Sequence, residues 1–155
     1  MPTKFEQRLA QLGINLPATA PPSANYVPAR RSGNQIYISG QVPSEGGKDK
    51  YTSKLGSDFS VAQGQAAARL CAINILAQLK QALDGNLERV IGVIRLGGFV
   101  NAEPDFQDHP KVINGASDLM VEVFGEAGRH ARAAVGCSSL PRNVPVEVDA
   151  IFEVS

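Results

Sequence analysis

The chain has 155 residues, enough for one domain with a short appendage and too few for a second catalytic domain. Hydrophobic residues make up 43% and charged residues 19%, a balance that can bury a core and excludes global disorder. Lys plus Arg is 15 and Asp plus Glu is 15, so the net charge is zero, which argues against a nucleic-acid partner, since gripping a polyphosphate backbone calls for a basic surplus.

In chain order, Phe5, Leu9 and Leu12 fall at i, i+4 and i+7, predicting a short amphipathic helix that stops at Gly13. Pro17, Pro21 and Pro22 then predict an extended linker over 16–23, because proline donates no amide and disfavours helix before it. Tyr26 to Arg30 and Gln35 to Ser39 read as strands of a hairpin around Ser32-Gly33-Asn34. The stretch Ser44 to Ser57 has no convincing period and is expected to be a functional or mobile loop. Ala66, Leu70, Ile73 and Ala77 place a long helix over Val61 to Leu83, ended by Asp84-Gly85-Asn86. Arg89 to Val100 is a buried strand, with Gly97-Gly98 pointing to a bulge or a close backbone approach. A second helix spans about Lys111 to Glu126, with Val112, Ala116, Leu119, Val123 and Ala127 on its apolar side. Ala131 to Leu140 reads as a strand, Pro141 to Val144 as a turn, and Val146 to Val154 alternates with period two. The expected architecture is an α+β sandwich in which two long helices cover one face of a mixed sheet.

Cys71 and Cys137 make no disulfide framework and no C-x-x-C pair. The first residues lack the apolar core of a secretory signal, and no run approaches the roughly 18–20 apolar residues of a membrane helix. The protein is therefore expected to be cytoplasmic, with no membrane partner. His109 and His130 have no second His or Cys at ligand spacing, so no metal site is expected, and no glycine-rich phosphate loop is present, so no cofactor is expected.

Arg132 is followed at period two by Ala134, Gly136 and Ser138, a cation beside three small side chains. One reading is a carboxylate clamp, because a guanidinium grips a planar carboxylate through two parallel hydrogen bonds; the other is an arginine on a solvent face or in an ion pair. Glu147 and Asp149 lie opposite the apolar stripe of their strand. They are either candidate general bases in a partly desolvated cleft or members of a solvated face. Asn114-Gly115 sits in the opening turns of a helix although the dipeptide favours a turn, so it marks either a site or a helix that starts only after Gly115.

Two segments resemble a known family. Ile36-Tyr37-Ile38-Ser39-Gly40-Gln41-Val42-Pro43 is similar to its first signature. Ala131-Arg132, Leu140-Pro141 and Val146-Glu147-Val148-Asp149-Ala150 resemble its C-terminal signature. The family is RidA/YjgF, the reactive-imine deaminases, and the resemblance covers roughly Tyr26 to Val154. It implies a chorismate-mutase-like α+β fold over 26–155, and the helix and linker predicted over 1–25 precede that domain. It further implies a homotrimer with clefts between subunits and hydrolysis of 2-imino acids to 2-keto acids and ammonia. By the same resemblance Arg132 binds the substrate carboxylate and Glu147 positions or activates water. Tyr26, Ser39, Gly40 and Asn114 line the cleft, as does Ala134, which stands where family members often carry Cys. The N-terminal segment and the 44–57 stretch exceed the compact family pattern and resemble a longer subgroup with labels such as endoribonuclease or translation inhibitor. A non-catalytic keto- or amino-acid binder and, less favoured, an RNA-directed activity are the alternatives.

If the last two strands form a simple hairpin around Arg142-Asn143, Glu147 pairs near Ser138, about 20 Å along the strand from Arg132. No small imino acid spans that, so a shared substrate would need one of the two residues from a neighbouring subunit.

Overall fold

A computed structural model describes residues 3–21 and 24–155. Helix α1 (Lys4–Gln11) starts at a capping box in which Thr3 and Glu6 each accept the other's backbone amide, as the orphan amides of a first turn require. Phe5 and Leu9 are buried, and Phe5 packs edge-on to Phe124 with ring centroids 4.9 Å apart. Over 14–21 the chain carries no helix or strand; residues 22 and 23 of the expected linker lie outside the described residues.

Strands β1 (Ala29–Ser32) and β2 (Gln35–Gln41) form the expected hairpin, with Ser32 opposite Gln35. β1 begins three residues later than expected, leaving Tyr26 outside it, as Pro28 has no amide to give a ladder. The 44–57 stretch is not a free loop. It folds into a short hairpin of β3 (Ser44–Glu45) and β4 (Lys48–Asp49), and Leu55 is fully buried, with its amide on the Asn101 carbonyl at 2.9 Å. Helix α2 (Val61–Ala82) opens on a Ser60/Gln63 capping box and closes at Asp84 and Gly85, both with left-handed φ.

β5 (Val90–Asn101) is the longest strand, and its irregularities fall at Val90/Gly92 and Val93/Arg95. Gly97 and Gly98 are instead sites of close approach: a Cβ at Gly98 would collide with Ile113. Helix α3 (His109–Phe124) starts with Pro110 in its first turn and ends at Gly125, so Ala127 lies beyond it. Gly115 is inside α3, and the helix does not wait for it. The missing side chain lets α3 lie on the α2 backbone at the Gln65 carbonyl.

β6 (Ala131–Cys137) and β7 (Val146–Val154) do not form a hairpin. The sheet order is β1-β2-β7-β5-β6: β5 lies between them, antiparallel to β7 and parallel to β6. The connection crosses the end of β5, where Asn101 Nδ2 donates to Asn143 Oδ1 at 3.0 Å and to the Val144 carbonyl at 3.1 Å. Arg142 and Asn143 take left-handed φ of 53° and 59° to make that crossing. Helices α2 and α3 cover one face, burying Ile36, Ile38, Leu96, Val100, Val148, Ala150 and Phe152 against Ile75, Leu79, Ile113 and Leu119. Among the described residues the other face carries no helix, and it leaves Tyr37 and Val135 about half exposed.

Candidate functional site

The expected site residues fall into two groups. Arg132 lies on the edge strand β6, opposite Leu96 on β5, so its side chain points to the helix-covered face. There Nη1 donates to Asn114 Oδ1 at 2.8 Å and to Ser117 Oγ at 3.2 Å. Asn114 and Ser117 meet it together because residues three apart share a helix face. Ala134, opposite Gly98, is on the same side and packs partly against the core. Among the described residues Arg132 has no acidic partner, and its side chain remains exposed.

Glu147 belongs to the second group. It sits opposite Phe99 on β5, on the face that carries no helix, and packs over Gly40. A Cβ at Gly40 would come within 2.6 Å of Glu147 Oε2, so glycine is what admits the carboxylate. Burial raises the Glu147 pKa above the ordinary carboxylate value, the neighbouring Asp149 adds to this, and Arg142 opposes it. Asp149 is raised as well, by burial, although Arg95 lies 3.7 Å away. Ser39 and Tyr26 lie near Gly40 in the chain's path: Ser39 Oγ donates to the Val27 carbonyl at 2.7 Å, and Tyr26 is 55% exposed in the segment before β1.

Within one chain Arg132 and Glu147 are two strands and three residues apart, about 14 Å at the backbone, and on opposite faces of the sheet. The separation expected from a hairpin therefore has a different origin, the insertion of β5. Neither of two cavities of about 710 and 380 Å³ includes Arg132 or Glu147. The larger lies between the chain after α1 and the β3–β4 hairpin, the smaller beside His109 and Cys137 at the far end of β6. Among the described residues, no group of three His, Cys, Asp or Glu could hold a metal ion. No helix among them is long and apolar enough to cross a membrane.

Three participants were not expected. Ser117 Oγ lies 2.8 Å from His130 Nε2, and His130 Nδ1 lies 2.7 Å from the Gly128 carbonyl. Both residues were legible by spacing: Ser117 follows Asn114 by three on a helix, and His130 precedes Arg132 by two at the start of a strand. The third is Arg142, whose Nε and Nη2 hold both oxygens of Asp49 at 2.6 and 3.0 Å, tying the β3–β4 hairpin to the turn before Glu147. Nothing in the spacing of residues 93 apart could have paired these two.

A family model described as "YjgF/chorismate mutase-like, putative endoribonuclease" matches residues 6–153. The chain is 49% identical to Protein TCP17 of Trypanosoma cruzi, over 95% of this chain and 92% of that one. It is 25% identical to a 2-iminobutanoate/2-iminopropanoate deaminase of Dermatophagoides farinae, over 91% and 94% of the two chains. Among solved structures, a protein of unknown function from Agrobacterium tumefaciens superposes with a TM-score of 0.91 at 54% identity, covering 98% of this chain and 93% of that one.

Proposed function

The chain belongs to the YjgF/chorismate mutase-like family, and from that premise we propose that it hydrolyses reactive 2-imino acids to 2-keto acids and ammonia. The observation that carries the reading is Arg132: a guanidinium held by two neutral oxygens, without an acidic partner among the described residues, and with nitrogens left to bind an anion. Those free nitrogens suit a carboxylate, which takes two parallel charge-assisted hydrogen bonds. The similarity to an imine deaminase, at 25% identity, points to the same substrate class.

The chemistry needs little machinery. Arg132 holds the carboxylate and so places the adjacent imine carbon. Glu147 orients a water and takes its proton as the oxygen attacks that carbon, while the imine nitrogen gains a proton. Glu147 then gives its proton to the carbinolamine nitrogen, making it an ammonium leaving group; the freed carboxylate takes the hydroxyl proton as the C–N bond breaks with its electron pair on nitrogen, and ammonia departs from the new carbonyl. A carboxylate whose pKa is raised by burial is a better base than a solvated one.

Because Arg132 and Glu147 face opposite sides of one sheet, the reading places the reaction between subunits of a homotrimer, with Arg132 from one chain and Glu147 from its neighbour. The uncovered sheet face, with Tyr37 and Val135 half exposed, is the surface that assembly would cover. Tyr26, Ser39, Gly40, Asn114 and Ala134 are assigned to the walls of that cleft. Two free cysteines suit a reducing compartment, and we assign the protein to the cytoplasm.

The test generates imine in situ with a dehydratase and follows accelerated release of 2-keto acid. Wild type is expected to accelerate it and Arg132→Ala to abolish the acceleration; equal rates would refute the assignment. A second reading, binding of a 2-keto acid without turnover, is favoured by Ala134 standing where a thiol is frequent and by the 49% identity to a protein that bears no deaminase name. Calorimetric binding of a 2-keto acid with a blank imine assay would select it.

A further inference from the structure

We propose that His130, acting through Ser117, is a positioning residue that ties up one nitrogen of Arg132 and so fixes which edge of the guanidinium receives the ligand carboxylate. The inference rests on reading Arg132 as the carboxylate-binding residue.

The proton positions follow from the acceptors. His130 Nδ1 lies 2.7 Å from the Gly128 carbonyl oxygen, which can only accept, so Nδ1 carries the proton. In the neutral ring Nε2 then offers a lone pair, and Ser117, 2.8 Å away, must donate its hydroxyl proton to it. With that proton committed, Ser117 Oγ presents only lone pairs to Arg132, whose Nη1 approaches to 3.2 Å. Asn114 Oδ1 accepts from the same nitrogen at 2.8 Å. Nη1 has two hydrogens, and both are now used. Nε and Nη2 remain, and their parallel N–H bonds along one edge match the two oxygens of a carboxylate.

The surroundings favour the neutral ring. His130 is half-buried, and burial lowers its pKa below the usual histidine value; the Gly128 hydrogen bond opposes this, and the charge of Arg132 adds to the lowering. A guanidinium already held in this way loses less freedom when its ligand arrives. Arginine on an edge strand otherwise samples many rotamers, and this one projects from an exposed strand with no acidic group among the described residues to restrain it.

The consequence is a three-part relay in which His130 touches neither substrate nor Arg132. The experiment compares wild type, Ser117→Ala, His130→Leu, the double variant and His130→Gln, whose amide oxygen can still accept from Ser117. In the imine assay Ser117→Ala and His130→Leu are expected to raise KM about tenfold with kcat within about twofold, the loss expected for one hydrogen bond to a charged group. The double variant should be no worse than either single one, because the two act in series. His130→Gln should restore most of the affinity. A ligand-independent readout accompanies these: nitrogen NMR of the free protein should show the Nδ1–H tautomer at His130 and separate Arg132 Nη1 and Nη2 signals. Those signals should move closer together in Ser117→Ala and His130→Leu, where Asn114 alone still holds Nη1. If wild type neither turns over imine nor binds 2-keto acid, the functional reading fails while the NMR arm still decides the relay. Additive losses in the double variant, a charged or Nε2–H imidazole at neutral pH, or unchanged Nη signals in the variants would overturn it.

Discussion

Glu147 and Asp49 show how differently two carboxylates respond to pH. Burial raises the Glu147 pKa, with Asp149 adding to the shift, so the folded protein binds this proton more tightly than the unfolded chain. Its contribution to stability is therefore fully present below the unfolded value and lost as pH rises through the folded one. Glu147→Gln is expected to stabilise the protein slightly at neutral pH, within about 0.5 kcal/mol, and the gain should vanish in acid. Thermal melts of the two proteins at pH 8 and at acid pH check this. The same variant should lose imine hydrolysis, and the wild-type rate should fall with decreasing pH earlier than an unperturbed carboxylate would dictate. A wild-type profile flat through the acid range would remove Glu147 as the base. Asp49 has the opposite sign. Its two bonds to Arg142 lower its pKa, so its contribution is present above the unfolded value and fades as pH falls through the folded one.

At the scale of elements, the contact between α2 and α3 depends on one absent side chain. Gly115→Ala would drive a methyl group into the Gln65 carbonyl and force the helices apart. The expected cost is about 2 kcal/mol, measured by urea denaturation. Because α3 also carries Asn114 and Ser117, the variant should weaken 2-keto-acid binding as well. In the Asn114-Gly115 pair, Asn114 accepts a hydrogen bond from Arg132 while Gly115 brings two helices together, and the helix does not start after Gly115 as one reading of the sequence had it. The Asp49–Arg142 pair restrains the β3–β4 hairpin, and Arg142→Ala is expected to speed amide exchange in residues 44–50 at a cost of about 1 kcal/mol. That restraint was hidden from sequence because its partners lie on segments with no periodic pattern. Leu55, by contrast, is a lone apolar residue among polar ones, and only packing reveals that it is buried.

For the whole molecule, the decisive geometry is that one sheet separates the two candidate catalytic residues. If each reaction site combines Arg132 from one subunit with Glu147 from the next, two inactive variants can complement each other. Mixing Arg132→Ala with Glu147→Gln by co-refolding at equal amounts should restore about a quarter of the wild-type sites, since random assembly of a cyclic trimer leaves that fraction of interfaces with both residues intact. No recovered activity in a mixture shown by native mass spectrometry to contain hybrid trimers would sink the shared-site arrangement. A monomer in sedimentation would sink it sooner.

Local pattern alone determined most of the elements. The 3.6-residue spacing placed α2 and α3, the strict alternation from Val146 to Val154 placed β7 and both of its faces, and the short signatures around Ser39-Gly40 and Arg132 placed the chain in its family. These are readable because side-chain direction repeats along a helix or strand independently of the rest of the molecule. Tertiary structure decided the rest: that β5 enters between β6 and β7, that Arg132 faces the helices while Glu147 faces the open side, and that His130 reaches Arg132 through Ser117. Strand order is a choice among non-local pairings of nearly equal local pattern, and periodicity carries no information about which strand becomes whose neighbour.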